Sequence, residues 1–247
     1  MTNLAYSGKL VSVTKMIKDF LSYLIFTNKC KYCGELINYG EELCEECTKN
    51  LPRINFEKCR FCGAGKDRCN CKNAKTRFDG ISAPFYYEGG VETAIKNFKF
   101  HDKQFVAEVL AKDIAQSVKI DFPDIDFDFI DFVPFSKTQE KKRNYNPAGE
   151  IAYSLSKYLK IPVCEVLTKP FDTEFQHTTG ASLRKGNVAG AYDIKENANV
   201  KGKTILLVDD IKTTGATLSE CTRVLKIAGA DKVYCAVAAL TANKKGT

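Results

Sequence analysis

The chain holds 247 residues, 44% hydrophobic and 27% charged, the balance of a soluble globular protein rather than of extended disorder. No stretch reaches the roughly 18 uninterrupted apolar residues of a membrane span, and residues 1–29 carry no small-residue cleavage site behind an apolar core, so the sequence reads as cytoplasmic. The net charge of +7 is concentrated in residues 50–77, where eight Lys and Arg face two Asp and Glu in a basic patch able to attract nucleic acid.

Val13, Met16, Ile17, Phe20, Leu21, Leu24 and Ile25 recur at helical spacing. They predict an amphipathic helix over 12–26, in a segment 1–28 of its own. Such stripes usually pack against the rest of the protein; a membrane surface or a partner groove is the other option.

Eight of the eleven cysteines lie between Cys30 and Cys71. Cys30, Cys33, Cys44 and Cys47 form two CxxC turns with ten residues between them. Cys59, Cys62, Cys69 and Cys71 form a second set, its halves six residues apart. A CxxC turn presents two sulfurs to one ion, and four thiolates close a tetrahedral Zn²⁺ site that leaves no position for substrate. One structural Zn²⁺ per set is expected, in a small zinc-binding domain over 29–76. Sequential pairing is preferred, although a cross-braced arrangement uses the same eight ligands. So short a segment, poor in aliphatic residues, depends on metal to fold. Within it Arg60, Phe61 and Arg68 combine cations with an aromatic ring, the means by which proteins track and stack a single strand; packing of Phe61 inside the knuckle is the competing reading.

Residues 77–247 read as one larger domain. Strands are predicted at 81–87, 127–133, 161–163, 205–208 and 233–240, and helices at 91–98, 104–118, 148–159 and 218–227. Their alternation predicts an α/β fold, a mostly parallel sheet with helices on both faces. Between them lie a basic loop with Lys137, Lys141, Lys142 and Arg143, and a long Gly- and Thr-rich loop over 173–192 that could act as a lid. The latter holds His177, more plausibly an exposed loop residue than an acid or base.

The most informative stretch is 203–218. Ile205, Leu206, Leu207 and Val208 form the apolar run of a strand buried on both faces. Asp209 and Asp210 are expected to end it, at the carboxyl end where open α/β sheets bind ligands. Two carboxylates there suit hydroxyls or a divalent cation such as Mg²⁺. Thr213, Thr214, Gly215, Ala216 and Thr217 then form a small-residue loop into a helix whose N–H groups can hold a phosphate.

This run of apolar strand, two acids and Thr/Gly loop resembles the 5-phosphoribosyl-1-pyrophosphate (PRPP) motif of type I phosphoribosyltransferases. The order of parts, from paired cysteine turns through the 86–99 stretch, the basic loop and the 173–192 loop, resembles the ComF family: competence-associated proteins with an N-terminal zinc finger and a type I phosphoribosyltransferase domain. In the 173–192 loop the resemblance rests on Thr173, Gln176, Arg184, Asn187, Gly190 and Tyr192. Where the family reads Arg-Gly-Phe-Asn-Gln after the basic loop, this chain keeps Arg143 and Asn146 but has neither the Gly nor the Gln, and the basic residue expected before Thr173 is present only as Lys169.

The resemblance implies PRPP bound by Asp209, Asp210, Lys212, Thr213, Thr214, Gly215, Ala216 and Thr217, with Lys137 and Arg143 toward the pyrophosphate. It further implies a role in DNA uptake, with single-stranded DNA and proteins of the uptake machinery as candidate partners. Were the protein an enzyme, Asp209 and Asp210 would be its catalytic residues. The alternatives are a metabolic phosphoribosyltransferase acting on a nitrogen base, and a non-catalytic PRPP sensor.

Overall fold

A computed structural model describes residues 28–38, 40–54, 57–69, 71, 76–100, 105–135, 144–170 and 190–241. The helix predicted at 12–26, Lys137, Arg143, His177 and most of the 173–192 loop lie outside the described residues. The chain forms two compact units, Met1–Leu51 and Pro52–Thr247. That division differs from the boundary drawn near residue 76, because it assigns the second cysteine set to the same unit as the sheet.

In the first unit a bridge between Lys29 and Leu36 closes the first cysteine turn, with Cys30 N–H donating to Glu35 O at 2.7 Å. A short helix, α1 (Glu45–Asn50), follows Cys44, whose sulfur caps it by accepting from Cys47 N–H at 3.3 Å. Tyr32 and Ile37 are the buried side chains beside the cysteines.

The second unit contains β1 (Gly80–Ser82), β2 (Phe85–Tyr86), α2 (Gly89–Phe100), α3 (Phe105–Asp121), β3 (Phe129–Phe132), α4 (Pro147–Leu159), β4 (Leu167–Thr168), β5 (Asp193–Ile194), β6 (Thr204–Lys212), α5 (Ala216–Ile227) and β7 (Lys232–Leu240). The sheet runs β1-β7-β6-β3, parallel throughout, with β2 pairing farther along β7. Val163 adds a parallel bridge beyond β3 at Ile130. Period-two alternation sorts the faces. Ile205, Leu207, Cys235 and Val237 share a core with Leu218, Cys221 and Leu225 of α5, while α3 and α4 pack on each other and on β7 and β6.

Asp209 and Asp210 do not end the strand as predicted. β6 continues to Lys212, pairing Ile211 with Ala239 and Lys212 with Leu240 of β7. Its register with β3 ends at Phe132 opposite Val208. Beyond that point β7 alone borders the strand, so acids that a central strand would exclude can be tolerated in a crevice. The aspartate within β3, Asp131, is buried but satisfied: it accepts from Phe132 N–H at 2.8 Å and Leu167 N–H at 3.1 Å. Burial raises it to about 7 against those backbone donors. The bond to Leu167 ties the sheet to β4, which pairs antiparallel with β5. This pair brackets the long Gly/Thr-rich loop and was not anticipated. Among the described residues no helix is long and apolar enough to cross a membrane.

Candidate functional site

The site is built where β6 passes the end of β3 and turns into α5. Asp209 Oδ1 accepts from the N–H of Asp210 at 2.8 Å, and Asp210 Oδ2 pairs with Lys99 Nζ at 2.7 Å. Part of the Asp209 residue surface still reaches solvent, yet desolvation of its carboxyl, then the charge of Asp210, push it up to about 8; Lys99 works the other way. Among the described residues, two adjacent acids in a crevice thus have one cation between them, and they suit a ligand that brings hydroxyls or further positive charge.

Lys99 was missed as a site residue. It lies in the last turn of α2, and its side chain is 20% exposed beside that of Asp210 at 14%. A lysine in the last turn of a helix is ordinarily a dipole partner, so nothing local in the sequence tied it to acids far along the chain.

The loop after β6 brings Thr213 to Thr217 together as predicted. Gly215 is the N-cap of α5 in the left-handed region at φ 80°, and a Cβ there would lie 3.0 Å from Lys212 Cε. The left-handed backbone is what favours glycine here, and a Cβ would also push the Lys212 side chain aside. Lacking a capping side chain, Gly215 leaves the first turn of α5 open apart from a 3.3 Å contact between Ala216 N–H and Thr214 Oγ1. Thr213, Thr214 and Ala216 are exposed and Thr217 is half-buried. Beside them the far end of the long loop is anchored: Gly190 N–H donates to Glu220 Oε1 at 2.7 Å, and Tyr192 is buried near Thr217.

Of the basic loop, only its anchors are described. Tyr145 stacks on Phe98 with centroids 5.4 Å apart and donates to the Phe98 carbonyl. Asn146, retained from the family pattern, caps α4 through Ala148 N–H at 3.0 Å and donates to Val133 O at 2.9 Å. Both ends of the loop therefore sit at the carboxyl end of β3, next to the β6 acids.

The cysteines gather into two tetrads, Cys30, Cys33, Cys44, Cys47 and Cys59, Cys62, Cys69, Cys71, with sulfurs within 4.8 Å of one another in each. The sequential grouping holds and the cross-braced one does not. None of the eight is in a disulfide. Burial opposes ionisation of Cys30, but backbone bonds from Cys44, Cys33 and Tyr32 bring it down to about 6. Burial pushes Cys33 up to about 11 and raises Cys47 as well. The second tetrad repeats the pattern, Cys59 lowered and Cys62 and Cys71 raised. One acidic thiol among reluctant neighbours is what a four-sulfur donor set presents before a cation draws off the remaining protons. Both tetrads suit structural Zn²⁺.

The structure separates the three residues suggested for nucleic acid. Phe61 is 50% exposed, not packed inside its knuckle. Arg68 lies 4.2 Å over the Tyr86 ring and pairs with Glu88 at 2.8 Å. Arg60 turns to Asp79 O and the Tyr234 ring, lining a different cavity from the other two.

Residues 146–247 match the phosphoribosyl transferase domain family. Competence protein F of Haemophilus influenzae is 26% identical over 223 residues, covering 84% of this chain and 95% of that protein. Competence protein ComFC of Bacillus subtilis is 26% identical, covering 77% and 80%. The chain belongs to the ComF family. DNA utilization protein YhgH of Escherichia coli is 24% identical to this ComF chain, covering 83% of it and 88% of that protein. Among solved structures, an allosteric regulatory enzyme of purine biosynthesis overlaps 53% of the ComF chain and 25% of its own at a TM-score of 0.36 and 23% identity, too partial to carry weight. The site residues from Asp209 to Thr217 fall inside the phosphoribosyl transferase match, whereas Lys99 and both tetrads precede it.

Proposed function

We propose that this ComF protein binds PRPP at the β6–α5 turn and serves DNA uptake from the cytoplasm, contacting single-stranded DNA and proteins of the uptake machinery. One observation carries the reading: an acid pair on the one-sided end of β6, followed within five residues by a left-handed Gly215 and the open first turn of α5. A ligand with a diol at one end and a phosphate at the other suits both halves. The N–H groups of α5 and the hydroxyls of Thr213, Thr214 and Thr217 hold the 5′-phosphate, with Lys212 beneath the turn. Asp209 and Asp210 take the ribose hydroxyls, and Lys99 keeps their charge tolerable until the ligand arrives. The family resemblance assigns the pyrophosphate to Lys137 and Arg143 of the basic loop. Asp209 and Asp210 would also hold Mg²⁺ brought with PRPP, which would supply charge neutralisation. The roles in DNA uptake follow the names of the relatives.

Calorimetry with PRPP and Mg²⁺ on the wild type and an Asp209→Ala, Asp210→Ala double variant tests the reading. Binding by the wild type and loss in the folded variant are expected; equal binding would place the ligand elsewhere. The phosphoribosyl transferase match over the acid pair also favours a second reading, transfer of phosphoribose to a nitrogen base. In that case the acids stabilise an oxocarbenium-like ribose. Pyrophosphate release dependent on one added base would select it, and binding without turnover would select a sensor.

A further inference from the structure

We infer that the second cysteine knuckle is part of the phosphate-binding site, so that filling its four sulfurs with a thiophilic divalent cation sets the affinity of the α5 loop for a phosphorylated sugar. The first tetrad has no such part in it. This rests on the proposed reading of the loop as a phosphate site and adds the element that shapes it.

A cavity of about 240 Å³ is walled on one side by Phe61, Cys62, Arg68 and Cys71 and on the other by Thr213 and Gly215. The two walls are mechanically continuous. Gly63, at φ 80° directly after Cys62, sits so close to the sheet that a Cβ would lie 3.2 Å from Leu240 Cδ1 and 3.3 Å from Ile81 Cγ2. Leu240 is the register partner of Lys212, and Thr241 N–H donates to Lys212 O at 3.0 Å. The Lys212 side chain in turn fills the space that a Cβ on Gly215 would need. Displacement of the Cys62 turn is therefore passed through Leu240 and Lys212 to the residue on which the phosphate loop pivots.

The rest of the knuckle is fixed to the same edge. Gly65 N–H donates to Tyr86 Oη at 3.0 Å, and Ile81 N–H donates to Arg60 O at 3.1 Å. These bonds hold one end of the knuckle, whereas Cys69 and Cys71 are joined to it through the shared donor set. Without the cation, loss of that closure frees the Cys71 side of the cavity wall.

The test compares PRPP affinity by calorimetry, with Mg²⁺ present, against zinc content by elemental analysis in full-length wild type, Cys30→Ser and Cys71→Ser. Each variant should lose one zinc equivalent. Cys30→Ser should bind PRPP within about twofold of wild type, and Cys71→Ser at least tenfold more weakly. Gly63→Ala keeps all four sulfurs and guards against a Cys71→Ser protein that does not fold; it should keep its zinc and still bind PRPP several-fold more weakly. Wild-type affinity in folded, zinc-depleted Cys71→Ser, wild-type affinity in Gly63→Ala, or equal losses in Cys30→Ser and Cys71→Ser would each overturn the inference. A wild type that binds no PRPP would instead overturn the assignment of the loop.

Discussion

The two cysteine tetrads use the same ligands and nearly the same turns, yet they stand in different structural settings. Around the first, the described residues offer one bridge, the short helix α1 and two buried side chains, Tyr32 and Ile37. Around the second, the chain borrows the core of the sheet: Ile54 and the partly buried Ala64 join the cluster that holds Ile205 and Val237. Tyr86 N–H also donates to Pro52 O at 2.8 Å, and Ile54 N–H to Pro84 O at 2.9 Å. The role of a metal knuckle is decided by what it packs on rather than by its ligand spacing.

The largest effect expected from that difference is the response to ligand loss. Cys30→Ser or Cys47→Ser should unfold the first unit outright while leaving the melting transition of the second in place, because burial cannot hold so small a unit without its ion. Cys59→Ser should lower the transition of the second unit without abolishing it. Differential scanning calorimetry of each variant reads both transitions; a single transition lost together in Cys30→Ser would break the comparison.

A smaller effect separates the ion pairs of the two units. Lys58, beside Cys59, donates to Asp121 at 2.9 Å and to Ser117 at 2.6 Å, with both charged side chains about nine-tenths buried. Lys58→Met leaves Asp121 without its cation and should cost the second unit about 3–5 kcal/mol in denaturant unfolding. In the first unit Lys31 pairs with Glu42 at a more exposed site, with side chains 36% and 57% accessible. Lys31→Met should cost less than about 1 kcal/mol. Similar losses at the two positions would mean that the second knuckle is no better embedded than the first.

A further effect is the pH dependence that Asp209 gives the second unit. The Asp209 carboxyl is raised from 3.8 to about 8 in the folded chain, so its contribution to stability is complete below pH 4 and is lost as the pH climbs toward 8. Asp209→Asn should therefore be the more stable protein at pH 8–9 without PRPP or Mg²⁺, with its advantage fading as the pH falls to about 4. An advantage that is constant across that range would show that Asp209 does not titrate between the two limits. A site that destabilises its own fold at working pH is a common cost of function.

Much of this was legible in the sequence because the signals are local. The apolar run 205–208, the acids after it and the small-residue loop gave β6, α5 and their junction, and the paired cysteine spacing gave both tetrads. What escaped was set by tertiary neighbours. β6 runs on to Lys212 because β7 continues beside it after β3 has ended, which no residue of β6 announces. The pair β4–β5 is two residues on each side, too short for periodicity, and depends on buried Asp131. The boundary at Leu51 went unseen because low aliphatic content across 29–76 suggested one independent segment, whereas Ile54 and Ala64 pack into the core of the sheet with Ile81, Tyr86 and Val233. Lys99 meets Asp210 only through the placement of α2 against the strand end.

The central claim is that the β6–α5 turn receives a sugar phosphate. Its most direct test is the amide spectrum of ¹⁵N-labelled protein during titration with PRPP and Mg²⁺. Saturable shifts of the Gly215, Ala216 and Thr217 amides are predicted, and they should be absent in folded Gly215→Val, whose β-branched side chain at φ 80° would press on Lys212. Saturable shifts elsewhere, with the amides of 215–217 unmoved, would contradict the account.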